Sequence, residues 1–470
     1  MQKEEYYLTS SIDYYLNNKE KREIFLKKKN FIFHEISKTL NYLINDSKYI
    51  KFFCCGNSSI VEKIVSKNIY INEIDETFIN YLAKNEITEK KTIDQNLNFD
   101  HIVIADIEHQ KFITRNLINL NEKIDDECRV IVLSKSIIWS SLINLYKNII
   151  NNIGPSKNNF LPFSNLKKIF LDTNFEIIKN EKILFFPFKI PFVTKFINRL
   201  FRLPILNFFC MLNLTVLKKK QKKIELIENK KISFIIPCKN EEGNIKLFYD
   251  KIANFSFNIE FLFGDDNSSD NTVNEIKKLK KTLPNKEIKI YNGPGICKSE
   301  NVYKGIDLAS GQIILILDAD LTVNFDDLLN SINLLLKTNS DFINCTRMIM
   351  PQQKNAMKFF NFYGNLFFAF LFSILFKQKI TDTLCGTKIF YKKDWNKIKN
   401  YVGKWGIKDL WGDFDLLLGA YKNNLKITEN PISYIDRKEG VTKMTGIIQN
   451  TIRMLIITLI SYYKLRIKNN

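Results

Sequence analysis

Two carboxylates one residue apart, Asp318 and Asp320, follow the apolar run 311–317. In a strand, residues i and i+2 project to the same side, so the spacing predicts two carboxylates that point together. Such a pair repels unless a cation or a proton lies between its oxygens. Mg²⁺ is commonly held by one or two carboxylates plus substrate phosphates. The pair alone is compatible with a divalent-metal site or with an ordinary polar strand end.

The elements around this pair predict a largely parallel sheet. Apolar runs predict strands at 232–237, 259–264, 287–292 and 313–318. Amphipathic stretches predict helices at 242–255, 272–283 and 299–309. Alternation of this kind indicates βαβ units, whose ligands bind at the carboxyl ends of the strands. Asp265 and Asp266 also lie at such an end, and acidic residues at two strand ends indicate a binding site.

Three motifs in this half resemble those of a family 2 glycosyltransferase with the GT-A fold: ISFIIPCKNEEGNI, FLFGDDNSSDNT and ASGQIILILDADLTV. They occur in the family's order, and the resemblance covers about residues 231–445. It implies that Asp318 and Asp320 bind Mg²⁺ or Mn²⁺ on the diphosphate of a sugar donor. It also implies a nucleoside pocket lined by Pro237, Asn240, Glu241, Asp265 and Asp266. Asn267 departs from the family pattern, in which glycine is usual, but asparagine tolerates positive φ better than most residues.

Metal binding suits the chemistry that this resemblance implies. Breaking a sugar–phosphate bond leaves a nucleoside diphosphate with additional negative charge. A divalent metal on the two phosphates stabilises that charge as it develops. This gives a reason for two carboxylates at the end of an apolar strand.

Two downstream segments, 382–395 and 411–444, resemble the subgroup that contains dolichyl- and polyprenyl-phosphate sugar transferases. The resemblance implies four catalytic residues: Asp382 in the acceptor-side motif, Asp413, and the phosphate-contacting Arg437 and Lys443. A phosphate acceptor is mostly ionised at neutral pH, so Asp382 would then orient the acceptor or a basic partner. If the acceptor is a hydroxyl, Asp382 or Asp413 is the candidate base.

The first half resembles a class I S-adenosylmethionine-dependent methyltransferase with a Rossmann-like fold. Its segments 49–60, 69–79, 99–110 and 127–136 follow that family's order. The resemblance implies that Gly56, Asp75 and Asp106 contact the cofactor. The family uses several glycines where this chain has Gly56 between Cys55 and Asn57, and the side chains would crowd the ligand. Binding of S-adenosylmethionine therefore stays open beside a degenerate scaffold that positions the other half, and we expect that binding to be weak or absent.

Length and charge predict an α/β chain of two domains. The 470 residues exceed one ordinary domain. The predicted layout is a methyltransferase-like domain at 1–216, a basic linker at 217–230, the transferase at 231–445 and an amphipathic segment at 446–470. The net charge of +20 suits an anionic membrane or phosphorylated substrates, and no nucleic-acid motif accompanies it. Eight scattered cysteines favour a reducing compartment.

Two apolar stretches, 359–376 and 444–463, are about long enough to span a bilayer. Polar residues interrupt both, which favours helices that lie in the membrane plane over spans. Buried core helices are the alternative. We therefore expect a peripheral protein at the cytoplasmic face of the membrane.

These features predict an inverting, metal-dependent glycosyltransferase. It would move a sugar from a nucleotide-sugar to a polyprenyl-phosphate-like or glycan acceptor in cell-envelope glycan synthesis. The alternatives are a bifunctional or primarily S-adenosylmethionine-dependent methyltransferase whose second half binds a glycan or lipid, and a scaffold without catalysis. The motif with Asp318 and Asp320 disfavours the scaffold, and the altered loop at Gly56 disfavours the methyltransferase.

Overall fold

The computed structural model of the chain describes residues 19–45, 47–54, 58–65, 68–73, 98–105, 107–142, 159, 161–204, 206–220, 230–253, 257–350, 357, 359–437, 439 and 446–468. The chain divides into two compact units. Unit 1 is Met1–Lys220 with Arg466–Asn470, and unit 2 is Gln221–Leu465.

Unit 1 is built on a six-stranded sheet with the order β2-β1-β3-β4-β6-β5. Its strands are β1 (Tyr49–Cys54), β2 (Asn68–Glu73), β3 (His101–Ile104), β4 (Arg129–Lys135), β5 (Phe175–Ile183) and β6 (Leu212–Lys219). Its helices are α1 (Lys19–Ile44), α2 (Ile113–Lys123), α3 (Phe163–Asp172) and α4 (Val193–Leu200). Strands β1 to β4 pair in parallel, and β6 is antiparallel to both of its neighbours.

The chain order of this sheet reverses at β1, which pairs with β2 on one side and β3 on the other. Such a switch point is where open α/β sheets bind ligands, beyond the carboxyl ends of the strands. The three residues predicted to contact S-adenosylmethionine, Gly56, Asp75 and Asp106, all lie outside the described residues. The methyltransferase interpretation of this unit stays a prediction.

The predicted basic linker begins later than the charge run indicates. Strand β6 continues to Lys219, so residues 217–219 belong to the sheet. Lys218 is buried and lies opposite Glu176 of β5 in the ladder. Arg129 of β4 lies opposite Lys218 on the other side, so Glu176 provides the opposite charge beside two like-charged residues of the ladder.

Unit 2 is built on a seven-stranded sheet with the order β13-β11-β12-β10-β7-β8-β9. Its strands are β7 (Ile232–Cys238), β8 (Ile259–Asp265), β9 (Glu287–Asn292), β10 (Ile313–Ile316), β11 (Phe342–Thr346), β12 (Lys388–Tyr391) and β13 (Ile427–Pro431). Strand β12 is antiparallel to β10 and β11, and the other pairs are parallel. The mixed α/β fold predicted for this half is confirmed.

Helices cover this sheet: α5 (Glu242–Ala253), α6 (Thr272–Thr282), α7 (Lys298–Leu308), α8 (Phe325–Lys337), α9 (Phe359–Phe376), α10 (Trp395–Lys399), α11 (Asp413–Lys422) and α12 (Ile447–Tyr462). Helix α5 buries Ile245, Phe248 and Ile252, whose spacing gives one apolar face. Phe248 packs edge-on against Phe263 of β8. Strands buried on both faces read as continuous apolar runs, which is why the sequence located them well.

Strand β10 is shorter than predicted. It ends at Ile316, so Asp318 and Asp320 lie in the following turn and not in the strand. Leu321 has a φ of 51°, in the left-handed region. The alternation of side chains along a strand is therefore not what brings the two carboxylates together.

The two apolar stretches of the sequence form helices α9 and α12, and the latter continues as a π-helix over Tyr463–Lys468. Within the described part of the chain, no helix has the length and apolarity needed to cross a membrane. Each helix has one buried and one exposed apolar face. The exposed faces comprise Tyr363, Leu366, Phe367 and Phe370 of α9, and Ile448, Ile452, Ile456 and Leu459 of α12.

Substitutions at Asn267, in the loop after β8, test the effect of its backbone conformation on stability. Asn267 has a φ of 60°, as its place in the motif requires. We expect Asn267→Ala to lower the free energy of unfolding by about 1 kcal/mol, because the left-handed region penalises a Cβ without a local polar group. Asn267→Gly should stay close to the unmodified protein. Urea unfolding of the three proteins measures this, and equal stability of the alanine and glycine variants would contradict it.

Candidate active site

The candidate site lies at one edge of the unit 2 sheet. Strands β7, β8 and β10 are parallel, and β11 runs in the same direction because β12, which lies between β10 and β11, is antiparallel to both. These four strands therefore end at this edge, and β12 begins there. Chain order reverses at β7, which pairs with β8 and β10. The crevice beyond β7 and β10 is thus the expected ligand position for such a sheet.

Asp318 is held by a lysine that the sequence analysis did not single out. The Nζ of Lys298, the first residue of α7, lies 2.5 Å from Oδ1 of Asp318. Burial alone would raise the pKa of Asp318, but the ammonium outweighs it and holds that pKa below its ordinary value. A Cβ on Gly386 would lie 2.5 Å from Asp318 Oδ2 and 2.8 Å from the Nζ. Glycine at 386 therefore lets the backbone pass beside this ion pair.

Asp320 is paired with the predicted phosphate-contacting arginine. The Nη2 of Arg437 lies 2.6 Å from Oδ2 of Asp320. The Thr322 hydroxyl donates to Oδ1 at 2.9 Å. An isolated antiparallel bridge between Val323 and Tyr434 brings the two segments together. Burial, and then repulsion from Asp318, raise the pKa of Asp320.

Asp382 is buried, and its carboxylate accepts several hydrogen bonds. Arg347 donates to it from Nε at 2.8 Å and from Nη2 at 3.0 Å, and Asn365 Nδ2 donates to Oδ1 at 2.7 Å. The backbone N–H of Leu384 donates to Oδ1 at 3.0 Å. Although burial opposes ionisation, the guanidinium of Arg347 lowers the pKa of Asp382 to about 2. A carboxylate so held is a poor proton acceptor at neutral pH, which favours the interpretation that Asp382 orients a basic partner.

Arg347 links this buried pair to the Asp318 and Asp320 pair. It follows β11, its guanidinium lies 5.1 Å from the ring centre of Tyr434, and its charge stabilises ionised Asp318. Three cations, Lys298, Arg347 and Arg437, therefore act on two neighbouring carboxylates. Cations and carboxylates in one crevice can hold an anion with a bridging metal.

Asp413 enters the same region as the first residue of α11. Gly412 precedes it with a φ of 87°, and a Cβ there would lie 3.1 Å from the Tyr303 hydroxyl. The Nζ of Lys388 lies 3.6 Å from Oδ1 of Asp413. Burial raises the pKa of Asp413, against the opposing charges of Lys388 and Lys298. With fewer donors than Asp382, it is the better candidate base if the acceptor is a hydroxyl.

The residues predicted to line the nucleoside pocket lie at the ends of β7 and β8: Pro237, Asn240, Glu241, Asp265 and Asp266. Asn240 connects the two loops, because its N–H donates to the Ser268 hydroxyl at 2.9 Å and its Oδ1 accepts from the N–H of Ser269 at 2.8 Å. Oδ1 of Asp266 accepts from the N–H of Gly295 at 2.6 Å. The roles of these residues toward a nucleotide stay predictions.

Sequence reasoning missed several side chains of this site: Lys298, Arg347, Asn365 and Lys388. A signal existed for two of them. Lys298 begins a helix directly after a glycine-containing loop. Arg347 is a cation directly after an apolar strand. Lys443, which was predicted to contact phosphate, lies outside the described residues.

The residues present fit a divalent metal that also binds substrate. Within the described residues, no group of three or more His, Cys, Asp or Glu side chains could hold a metal ion by itself. Asp318 and Asp320 offer two carboxylates, a number that Mg²⁺ sites complete with water and phosphate oxygens. Such a metal would compete with Lys298 and Arg437 for these oxygens.

Unit 2 is thus an α/β fold whose sheet edge brings carboxylates and cations together. Residues 233–399 match the model of the glycosyl transferase family 2. The matched segment lies within unit 2 and contains Asp318, Asp320 and Asp382. This match agrees with the resemblance of the three motifs.

Curated relatives cover this half of the chain. UDP-N-acetylglucosamine–dolichyl-phosphate N-acetylglucosaminyltransferase of Methanococcus voltae is 26% identical over 238 residues, 47% of this chain and 91% of the relative. GalNAc(5)-diNAcBac-PP-undecaprenol beta-1,3-glucosyltransferase of Campylobacter jejuni is 26% identical over 270 residues, 50% of this chain and 81% of the relative. Both relatives are named as glycosyltransferases, which agrees with the predicted enzyme class.

The solved structures that resemble this chain have lower sequence identity to it than these two relatives have. Glucosyl-3-phosphoglycerate synthase of Mycobacterium tuberculosis, solved with Mn²⁺ and UDP, is 14% identical with a TM-score of 0.38, covering 50% of this chain and 81% of its own. A mannosyltransferase of Pyrobaculum calidifontis, solved with GDP-Man and Mn²⁺, is 16% identical with a TM-score of 0.35, covering 51% and 71%.

The buried Asp382 predicts a distinct acid dependence. Its pKa is about 2 in the folded protein and about 4 in an unfolded chain. Because folding lowers this pKa, ionised Asp382 stabilises the fold above about pH 4, and that contribution is lost as the pH falls toward about 2. We expect the stability difference between unmodified protein and Asp382→Asn to shrink by up to about 2.5 kcal/mol over that range.

Urea unfolding at a series of pH values measures this difference. Asp326→Asn, at an exposed position in the first turn of α8, is the matched control and should show no such change. A difference for Asp382→Asn that stays constant with pH would contradict the role assigned to its ionised form.

Proposed function

We propose that the protein transfers a sugar from a nucleotide-sugar to a polyprenyl-phosphate-like lipid acceptor, with a divalent metal, in cell-envelope glycan synthesis. The observation that carries this proposal is the group of three cations around Asp318 and Asp320 at the switch-point edge of the unit 2 sheet. The name of one relative includes dolichyl phosphate, which supports this acceptor class, and the name of another includes a glycan linked to undecaprenol, which supports a lipid-linked glycan as the alternative acceptor.

The donor would lie across the ends of β7, β8 and β10. The loops with Asn240 and Asp266 provide polar groups for a nucleoside. Asp318 and Asp320 follow the end of β10, which is next to β7 in the sheet. Bound Mg²⁺ or Mn²⁺ would stabilise the charge that develops on the departing diphosphate. Lys298 and Arg437 would turn from the carboxylates to phosphate oxygens, so the charge of the crevice stays balanced.

Arg347 provides a cation for the acceptor phosphate. Asp382 fixes Arg347 through two hydrogen bonds, which presents its guanidinium in one orientation. A phosphate oxygen that is already ionised can attack the anomeric carbon from the face opposite the leaving diphosphate, which inverts that carbon. This reaction needs little help from a base, and Asp413 would serve as the base where the acceptor is a hydroxyl.

A membrane location would bring this acceptor to the site. Helices α9 and α12 of unit 2 each expose an apolar face, and Arg453 and Lys464 accompany the second. Apolar faces with basic neighbours suit the surface of an anionic leaflet. We therefore place the enzyme at the cytoplasmic face of the membrane as a peripheral protein. S-adenosylmethionine-dependent methylation by unit 1 remains the alternative, which calorimetry with that cofactor tests.

Asp320→Asn tests the metal assignment. We expect transfer to a polyprenyl phosphate to fall by about a hundredfold or more, because the variant loses a ligand of the charge-stabilising metal. Thermal stabilisation by UDP or GDP with Mn²⁺ should be lost as well. Asp326→Asn is again the control, because it removes one negative charge, as Asp320→Asn does, but at an exposed position in helix α8. Full activity of Asp320→Asn, or undiminished activity in excess chelator, would contradict the assignment.

The topology of membrane association is tested by fractionation. We expect high salt or alkaline washes to release the full chain from membranes, because electrostatic attraction and shallow apolar contact hold it. Ile452→Ser with Leu459→Ser should weaken this association, and Leu308→Ser, an exposed apolar position on α7, should not. Retention until detergent is added would mean that one apolar helix spans the membrane.

A further inference from the structure

Helix α4 of unit 1 has its polar residues inside and its apolar residues outside. Thr194 is 2% exposed and Asn198 is 4% exposed. On the same helix, Val193, Phe196 and Leu200 are exposed, with Phe196 at 69%. A surface helix of a water-soluble protein normally has the opposite arrangement.

Hydrogen bonds explain why the polar residues must face inward. The Thr194 hydroxyl accepts from the N–H of Ile190 at 2.8 Å and donates to the carbonyl of Phe188 at 2.6 Å. Asn198 Oδ1 accepts from the N–H groups of Phe185 and Phe186, at 3.0 and 2.7 Å. These bonds satisfy backbone groups of the segment after β5, which has left the sheet. The helix is therefore fixed in rotation, and its apolar side must face away.

The residues before α4 extend this apolar side. Phe192 is 90% exposed and has a φ of 60°, a conformation that a bulky residue seldom adopts. Phe188 and Ile190 are exposed as well. We call Phe188, Ile190, Phe192, Val193, Phe196 and Leu200 the α4 surface. A contiguous exposed apolar patch of this kind marks an interaction site.

Basic residues border the α4 surface. Lys195 and Arg199 are exposed on α4, one helical turn apart. Together with Arg202 they act on Lys38 of α1, whose pKa is lowered by burial and then by these charges, against Glu35. Arg202 is mostly buried and pairs with Glu35 at 3.7 Å, so Lys195 and Arg199 are the cations of this cluster that face solvent. These two side chains can contact anionic groups such as lipid phosphates.

We propose that the α4 surface inserts into the headgroup region of a membrane that contains anionic lipids. Exposed aromatic rings with a border of lysine and arginine match the interface between acyl chains and anionic headgroups. A second copy of this chain is a poorer partner, because contact between two such surfaces would bring the basic borders together. This inference concerns unit 1 and does not depend on the proposed transferase activity.

Vesicle sedimentation of the full chain tests this proposal. The background carries Ile452→Ser and Leu459→Ser, so that binding by the exposed face of α12 does not hide the contribution of the α4 surface. The vesicles are phosphatidylcholine alone, or phosphatidylcholine with phosphatidylglycerol. Phe192→Ser with Phe196→Ser should weaken binding to the anionic vesicles by about tenfold or more. Leu171→Ser, at an exposed position on α3, is the matched control and should bind as the background does.

A charge variant and a fluorescence variant separate the two parts of the proposal. Lys195→Glu with Arg199→Glu should lower binding to anionic vesicles and make the remaining binding less sensitive to salt than that of the background. In Phe196→Trp, the added indole should shift to shorter wavelength with vesicles and be quenched by brominated lipid chains. Both results together support insertion beside anionic headgroups.

Three outcomes would overturn the proposal. One is unchanged anionic-vesicle binding by the Phe192→Ser and Phe196→Ser protein. Another is a change from dimer to monomer in light scattering caused by those substitutions, which would make the α4 surface a contact between copies. The third is a loss of thermal stability in that protein as large as for a buried phenylalanine such as Phe170, which would mean that protein already covers the surface.

Discussion

The electrostatic compensation of Asp318 and Asp320 is the constraint on which the site of unit 2 depends. Two neighbouring carboxylates beside a buried strand would repel, and one would be protonated, without cations close to them. Lys298 from the start of α7 and Arg437 from a segment near the end of the chain provide direct contacts. Elements far apart in sequence must therefore converge on one turn, and the sheet order allows this.

The same constraint explains the local backbone. Strand β12 runs antiparallel, so its first residue, Lys388, lies at the edge where β10 ends, opposite Ile316. The chain reaches β12 through Gly386, which passes close to the Lys298 and Asp318 pair. The segment with Asp382, predicted to be the acceptor-side motif, thus comes close to Asp318 through one glycine. A larger residue at 386 would push against the ion pair of Lys298 and Asp318.

The sequence predicted the elements of this site better than its contacts. Strand β9 has the predicted ends, because polar residues flank its apolar residues and the strand is only partly buried. The pairing of Arg347 with Asp382 spans 35 positions, and that of Arg437 with Asp320 spans far more. No local pattern encodes such a pair, since it follows from sheet order and register. Asp382 shows the consequence: its motif identified it, but only its donors show that it is held ionised and fixes Arg347.

Polar residues inside the apolar helices agree with the expectation that these helices do not span a membrane. Asn365 of α9 faces inward to hold Asp382, as Thr194 and Asn198 of α4 face inward to hold backbone groups. When inward positions are used by polar groups with specific partners, apolar residues of the same helix are left on the outside. An average over the segment cannot distinguish this arrangement from an incomplete span. The rings on the outside favour a non-aqueous phase, and the net charge of +20 favours its anionic side. Both properties agree with the proposed association with an anionic membrane.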